Sequence, residues 1–234
     1  MKIARCTPSR GLVHSRTEQT AEIARDWAEL HGHRWRNFWT HDLPIPDCFN
    51  QVVGQAYAWG ADLIWILEED VVLRSPGVAF PAMVSTIANG ADVAVIDYVM
   101  PAPGRDDISW GTQRDGTGHI AWARTGCILF KRECLDKLPR PWFTLYGRLL
   151  RSDGTLTWQS DVASLYGVDV EFTYCLVQLG LTFHEVEAQC DHLRIIERGQ
   201  SGTNDGRHRI EPVPTVPKLP NVPPRRTHNG SSNR

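Results

Sequence analysis

Residues 61–67, ADLIWIL, form a nearly unbroken apolar run, and Glu68, Glu69 and Asp70 follow it at once. A short apolar run bounded by a turn is a strand buried on both faces, which demands a sheet with packed layers above and below. Carboxylates at the end of such a strand are costly unless something positive meets them. Hard divalent cations take carboxylate oxygens, so the triplet marks a candidate metal site. The ordinary alternative is a solvated loop.

The preceding chain supplies the layers. Residues 2–6 read as a strand running into TPSRG at 7–11, a turn segment. Residues 17–30 carry a helical stripe of Ala21, Ala24, Trp27, Ala28 and Leu30, with Ser15 or Thr17 as cap. Residues 33–39 are an aromatic-rich strand candidate, and 49–59 a helix that Gly60 stops. Such alternation of strand and helix predicts a mainly parallel sheet. In open α/β sheets the ligand lies beyond the carboxyl ends of the strands. Residues 7–11 and 68–70 both occupy such ends, so they are expected to face one cleft.

Further on, Ser75 and Pro76 open a helix to residue 89, and 92–98 is a buried strand. Residues 101–118 are a polar, glycine-rich loop. Residues 119–130 form one or two strands broken at Thr125-Gly126, and a short helix spans 131–137. Residues 142–161 look irregular and aromatic. A helix over 168–179 ends at Gly180, and a last strand, 181–186, continues outward through 188–194. Six prolines among the 24 residues from Glu211 to Arg234 predict an extended or disordered tail.

The net charge of −2 gives no global field toward nucleic acid or membrane. No window approaches 18 apolar residues, so no membrane span is expected, and the N-terminus lacks an apolar signal core. A cytoplasmic protein with reduced thiols is the expectation, since the six cysteines contain no CxxC pair.

Three more candidates complete the set. Asp169 in YGVDVEF reads either as a helix cap or as a catalytic base facing the cleft, with Glu171 and Asp161 as substitutes. His192, beside Asp191, is a credible imidazole ligand for a manganese-type ion. Thr7, Ser9 and Arg10 hold a nucleotide or make a plain turn. Trp110, Trp122, Trp142 and Trp158 stack on a sugar or base, or belong to the core.

The blocks FNQVVGQAYAWGADLIWILEEDVVL (49–73), GHIAWARTGCILFKRECLDKLPRPWF (118–143), GVDVEFTYCLVQLGLTF (167–183) and CDHLR (190–194) resemble, in this order, segments of the GT-A fold glycosyltransferases that use nucleotide sugars, particularly the large family with inverting members. The resemblance covers roughly residues 2–195. It implies a GT-A (Rossmann-like) α/β domain over 1–195, with a mainly parallel central sheet flanked by helices, and a basic, Pro-rich C-terminal extension over 196–234. It implies a nucleoside-diphosphate sugar donor and Mn²⁺ or Mg²⁺ as cofactor. Asp70 would hold the metal with His192 as a further ligand, and Glu68 would touch ribose or metal, with Glu69 as support between them. Asp169 would deprotonate the acceptor hydroxyl. Thr7, Ser9 and Arg10 would bind the nucleotide, and Trp122, Gly126 and Cys127 would line the substrate cleft. Two departures stand out: the first acid is Glu, and Val168 stands where the family has an acid before the base.

The acceptor stays open between a modified DNA base, a protein and a glycan, and so does the oligomeric state. Arginine outnumbers lysine 21 to 4, which reads first as a GC-rich genome and second as guanidinium-based anion binding; it fits a phage or actinobacterial origin, with host cytoplasm as the expected site of action for a phage enzyme. Arg194, Arg198, Arg207, Arg209, Arg225 and Arg226 are candidate phosphate contacts for DNA. The alternatives are a nucleotidyltransferase, whose first loop normally carries glycines and a lysine that TPSRG lacks, or a non-catalytic nucleotide-sugar binding module.

Overall fold

In the computed structural model, the description covers residues 1–9, 11–100, 108–109, 112–144, 146–150, 156–163 and 167–193. At 98–100, 108–109, 146–150, 156–163, 167 and 169 it covers the backbone alone. Arg10, the loop tryptophan Trp110, and the six arginines proposed for DNA lie outside the described residues, as does the extension from 196.

The chain opens with β1 (Lys2–Thr7), α1 (Ser15–Leu30), β2 (Arg34–Trp39), α2 (Asp47–Trp59), β3 (Leu63–Leu67), β4 (Val71–Leu73), α3 (Pro76–Ala88) and β5 (Val93–Val95). Then come β6 (Tyr98–Met100), β7 (Ile108–Ser109), β8 (Thr112–Arg114), β9 (Ile120–Ala123), β10 (Cys127–Lys131) and α4 (Glu133–Asp136). The remainder is β11 (Tyr146–Leu150), β12 (Leu156–Ala163), α5 (Gly167–Gln178), β13 (Phe183–Glu185) and β14 (Cys190–His192).

The central sheet has six strands in the order β13-β5-β10-β3-β1-β2. Strands β1, β2 and β3 are parallel, and β13 is parallel to β5. Only β10 runs against its neighbours in this sheet. The α/β fold with a mainly parallel sheet is therefore as the alternation of elements predicts.

The apolar run of β3 explains itself in the packing. Ile64 and Ile66 join one core with α2 and α5, while Leu63, Trp65 and Leu67 join the other with α1 and α3. Strand β10 splits in the same way, Ile128 and Phe130 to one side, Cys127 and Leu129 to the other. Alternating side chains of a strand with both faces covered all need to be apolar. Phe172 of α5 is fully buried and stacks on Phe143 with ring centroids 4.2 Å apart, and it also meets Phe130 at 5.7 Å. Phe172→Ala is expected to cost about 3–5 kcal/mol and lower Tm by roughly 6–20 °C for a chain of this size. A calorimetric Tm within about 2 °C of wild type would show that α5 is not anchored there.

Several local expectations are corrected. Helix α1 begins at Ser15, and its cap is His14, whose Nδ1 accepts the Arg16 N–H at 3.2 Å. Leu30 is exposed rather than part of the apolar stripe. Ser75 precedes α3 in the left-handed region, with φ of 57°, and makes no side-chain cap. Within the stretch 142–161, expected to be irregular, β11 pairs antiparallel with β12. Glycine and arginine in YGRLL hid that pairing from any local apolar pattern. Gly60, by contrast, is the left-handed stop that its position after α2 predicts, with φ of 71°. All six cysteines are buried, and none forms a disulfide.

Candidate active site

Strand β3 ends at Leu67, and the chain turns through Glu68, Glu69 and Asp70 before β4. The turn closes with the Val71 N–H donating to the Glu68 carbonyl at 3.2 Å. On its other side the Glu68 N–H donates to the Gly126 carbonyl at 3.1 Å, and the Thr125 hydroxyl donates to Glu68 Oε1 at 3.1 Å. The break at Thr125-Gly126, where β9 gives way to β10, thus grips the acid turn through both backbone and side chain. Thr125 is fully buried, so this hydrogen bond fixes the carboxylate rather than decorating the surface.

A second, four-stranded sheet brings in His192. Its order is β4-β14-β6-β7, with β14 antiparallel to β4 and His192 opposite Val71. This register places the imidazole Nε2 3.5 Å from Asp70 Oδ1. The Leu193 N–H donates to the Asp70 carbonyl at 2.6 Å, extending the ladder past the acid. Asp191 faces the other way, as strand alternation requires. It is held by Arg74, Nε to Oδ1 2.8 Å, and Arg74 also reaches Gln189 Oε1 at 2.6 Å. Asp191 therefore staples β4 to β14, while His192 faces Asp70.

One ligand atom each from Glu68, Asp70 and His192 lies within 4.8 Å of the other two. Ion-to-oxygen distances of about 2.0–2.6 Å put ligands on one ion up to about 4–5 Å apart, so this spread fits a single divalent ion. Two carboxylates and an imidazole make a donor set that could hold a divalent metal ion. Glu69 differs from its neighbours. It is buried, and its carbonyl accepts the His14 N–H at 2.8 Å, which ties the acid turn to the start of α1.

That tie joins the acid turn to a cavity. A space of about 320 Å³ opens over the carboxyl ends of β1 and β2, lined by Arg5, Thr7, Glu18, Asn37, Trp39 and His41 among others. Thr7 is buried, and its hydroxyl has no partner among the described residues. Ser9 instead shapes the loop. It is fully buried, and its Oγ accepts the Gly11 N–H at 3.1 Å. Thr40 completes that clasp, accepting the Ser9 N–H at 3.2 Å.

The cavity floor is an ion pair that no sequence pattern announced. Arg5 Nη1 and Nη2 donate to the two Glu18 oxygens at 2.9 and 2.7 Å. These bonds from Arg5, outweighing desolvation, hold the Glu18 carboxyl below its ordinary value of 4.5. A depressed carboxylate contributes stability that is present above its unfolded value and lost as pH falls through the folded one. Glu18→Gln is therefore expected to lower Tm at pH 7 and to flatten the loss of Tm below pH 4.5. An unchanged acid limb in melts at pH 7, 4.5 and 3.5 would contradict this. An arginine inside the β1 strand pattern was the one available hint, but its partner lies 13 residues away across a loop.

The remaining candidates are scattered. Gly126 contributes its carbonyl to the acid turn, and Cys127 is fully buried beneath it. Trp122 lies half-buried on β9, opposite Gln113. Trp142 is core, its Nε1 donating to the Leu135 carbonyl at 3.0 Å, so it is withdrawn as a sugar platform. Asp169 falls within the first turn of α5 rather than at its cap, and its side chain lies outside the described residues, as do those of Asp161 and Trp158. Glu171 is buried and accepts from the Cys175 thiol at 3.3 Å. Helix α5 is seated on β9 by Thr173, whose hydroxyl accepts the Ala123 N–H at 3.1 Å and donates back to the Ala123 carbonyl.

No protein-family model and no curated protein sequence matches the chain. Among solved structures, the protein A197 from STIV superposes with a TM-score of 0.52 at 17% identity, over 83% of this chain and 87% of that one. The two share a fold. A glycosyltransferase involved in glycosylation of the major capsid of PBCV-1 matches 61% of this chain and 70% of its own at 12% identity, TM-score 0.34. UDP-glucose pyrophosphorylase from Acinetobacter baumanii matches 82% and 88% at 10% identity, TM-score 0.42. Among the described residues, no helix is long and apolar enough to cross a membrane.

Proposed function

We propose that the chain is a metal-dependent glycosyltransferase of the GT-A kind, moving a sugar from a nucleoside-diphosphate donor to an acceptor hydroxyl. The observation that carries this reading is the meeting of Glu68, Asp70 and His192 at the carboxyl end of the sheet, one hydrogen bond from the loop that borders the cavity. A bound Mn²⁺ or Mg²⁺ supplies Lewis-acid neutralisation of charge on the diphosphate leaving group. Asp70 and His192 would hold that ion, and Glu68, fixed by Thr125, would serve the ion or the ribose. Thr7 and the cavity take the nucleoside.

The bonds balance simply. The acceptor oxygen forms a bond to the anomeric carbon, the bond from that carbon to the phosphate oxygen breaks, and the nucleoside diphosphate departs. Asp169, at the start of α5, takes the acceptor proton in an inverting reaction. Modified DNA bases, proteins and glycans all offer such a hydroxyl.

Phosphorus NMR of the full chain with Mn²⁺ tests the reaction type. A glycosyltransferase releases nucleoside diphosphate from a nucleotide sugar, by transfer or by slow hydrolysis, in a panel with candidate acceptors. Pyrophosphate released from a nucleoside triphosphate and a sugar phosphate would instead make the chain a nucleotidyltransferase and overturn the proposal. Binding of nucleotide sugars with no release under any condition would make it a binding module.

A further inference from the structure

The end of the central sheet opposite the acid turn carries a row of cations. Lys2 and Arg34 begin β1 and β2 and are partners in the parallel register. Arg36 lies over the Phe38 ring at 5.2 Å, and Phe38 meets Trp59 with centroids 6.1 Å apart. Lys2 Nζ sits 5.6 Å from the Trp59 ring and donates to the Trp59 carbonyl at 3.3 Å. The Asp62 backbone carries the row onward: its N–H donates to the Lys2 carbonyl at 2.8 Å, and its carbonyl accepts the Arg132 N–H at 3.1 Å. Arg132 and Arg140 then lie over Tyr57 at 5.3 and 5.2 Å, and Arg140 also covers Trp142 at 4.5 Å.

Arg34, Arg36 and Arg140 are exposed, and Lys2 and Arg132 are half-buried. Among the described residues, none of the five is ion-paired with a carboxylate. Two of the acids beside them are engaged elsewhere. Asp62 Oδ2 accepts the Lys2 main-chain N–H at 2.6 Å, and Asp136 Oδ1 accepts the Tyr57 hydroxyl at 2.6 Å. Rings therefore hold four of these cations, and a ring fixes a cation without neutralising it.

We infer that this row docks the phosphate backbone of a nucleic-acid duplex. The inference does not depend on the glycosyltransferase reading, since the metal site lies at the other end of the strands. Four of the five cations are arginines, whose planar fork matches two phosphate oxygens at once. Stacking holds the forks at set positions, which suits a polymer whose phosphates recur at a set spacing. A fluid anionic bilayer needs no such fixed array, because a flexible basic segment serves it. The rings already carry the cations, and Trp142 is buried, so the row offers guanidinium edges rather than open ring faces for the unstacked bases of a single strand. Phosphate contacts of this kind position a duplex without reading its sequence.

The test is fluorescence anisotropy of the full chain with a labelled DNA duplex of about 20 base pairs, in salt from about 50 to 200 mM. Binding is expected to fall steeply with salt and to be the same for duplexes of unrelated sequence. Joint replacement of Arg132→Gln and Arg140→Gln is expected to weaken it at least about tenfold at the lowest salt and to reduce the log–log salt slope by about 2. Arg132→Lys with Arg140→Lys keeps the charges and is expected to keep the slope. A lysine pair as weak as the glutamine pair would trace the loss to damaged packing and overturn the inference. So would no duplex binding, wild-type affinity in the glutamine pair, tighter binding of the single strand, or a preference for phosphatidylserine vesicles over the duplex.

Discussion

Asp70→Asn is expected to reduce turnover of a nucleotide sugar at least about 100-fold and to abolish Mn²⁺-dependent stabilisation by nucleoside diphosphate. The substitution is close to isosteric. It leaves the backbone bond from Leu193 to the residue 70 carbonyl in place, so β4 and β14 remain paired. What it removes is one of the two negative charges among Glu68, Asp70 and His192. Hard ions favour charged oxygens, and losing several kcal/mol of charge stabilisation corresponds to the stated factor in rate. Thermal melts with and without Mn²⁺, alongside product release, separate a lost ion from a lost fold. A variant that keeps the full ion-dependent shift would remove Asp70 from the site.

Asp169→Asn is expected to lower kcat by ~10²–10⁴, the usual worth of a general base, while nucleotide affinity stays within about twofold of wild type. The reasoning is positional. Thr173, one turn along α5, clasps β9, and β9 leads directly into the Thr125-Gly126 break that grips Glu68. The start of α5 is thereby tied to the acid turn through a short, buried route. The amide cannot take a proton, yet it keeps the size and helix position of the acid. Rate constants at saturating donor, with affinity measured separately, make the comparison. Turnover within about threefold of wild type would pass the role of base to another residue, with Glu171 and Asp161 next in line.

The fold was legible where local chemistry decides it. The apolar run of β3, the glycine after α2 and the early alternation of strand and helix all act within a few residues. Their outcome is the sheet observed. The acid turn was legible for the same reason, since Glu68, Glu69 and Asp70 are adjacent and their cost at a strand end is plain. The partnership of Asp70 with His192 depends on the register of β4 against β14. Alternation also decides that Asp191 serves Arg74 instead. Neither relation exists in the chain until two short strands, more than a hundred residues apart, have paired. The cavity was least legible. Arg5, Glu18 and Asn37 come from a strand, a helix and a neighbouring strand, and each looks ordinary in its own segment. The β11–β12 pairing escaped notice because YGRLL, with its glycine and arginine, shows no local apolar period.

Whether ion and nucleotide meet at one site is read from equilibrium binding of a nucleoside-diphosphate panel to the full chain, by calorimetry, once in Mn²⁺ and once in chelator. Saturable binding of at least one diphosphate is expected, with affinity at least about tenfold higher in Mn²⁺. Equal affinity in chelator, or no diphosphate binding in either condition, would contradict a metal-assisted nucleotide-sugar site at Glu68, Asp70 and His192.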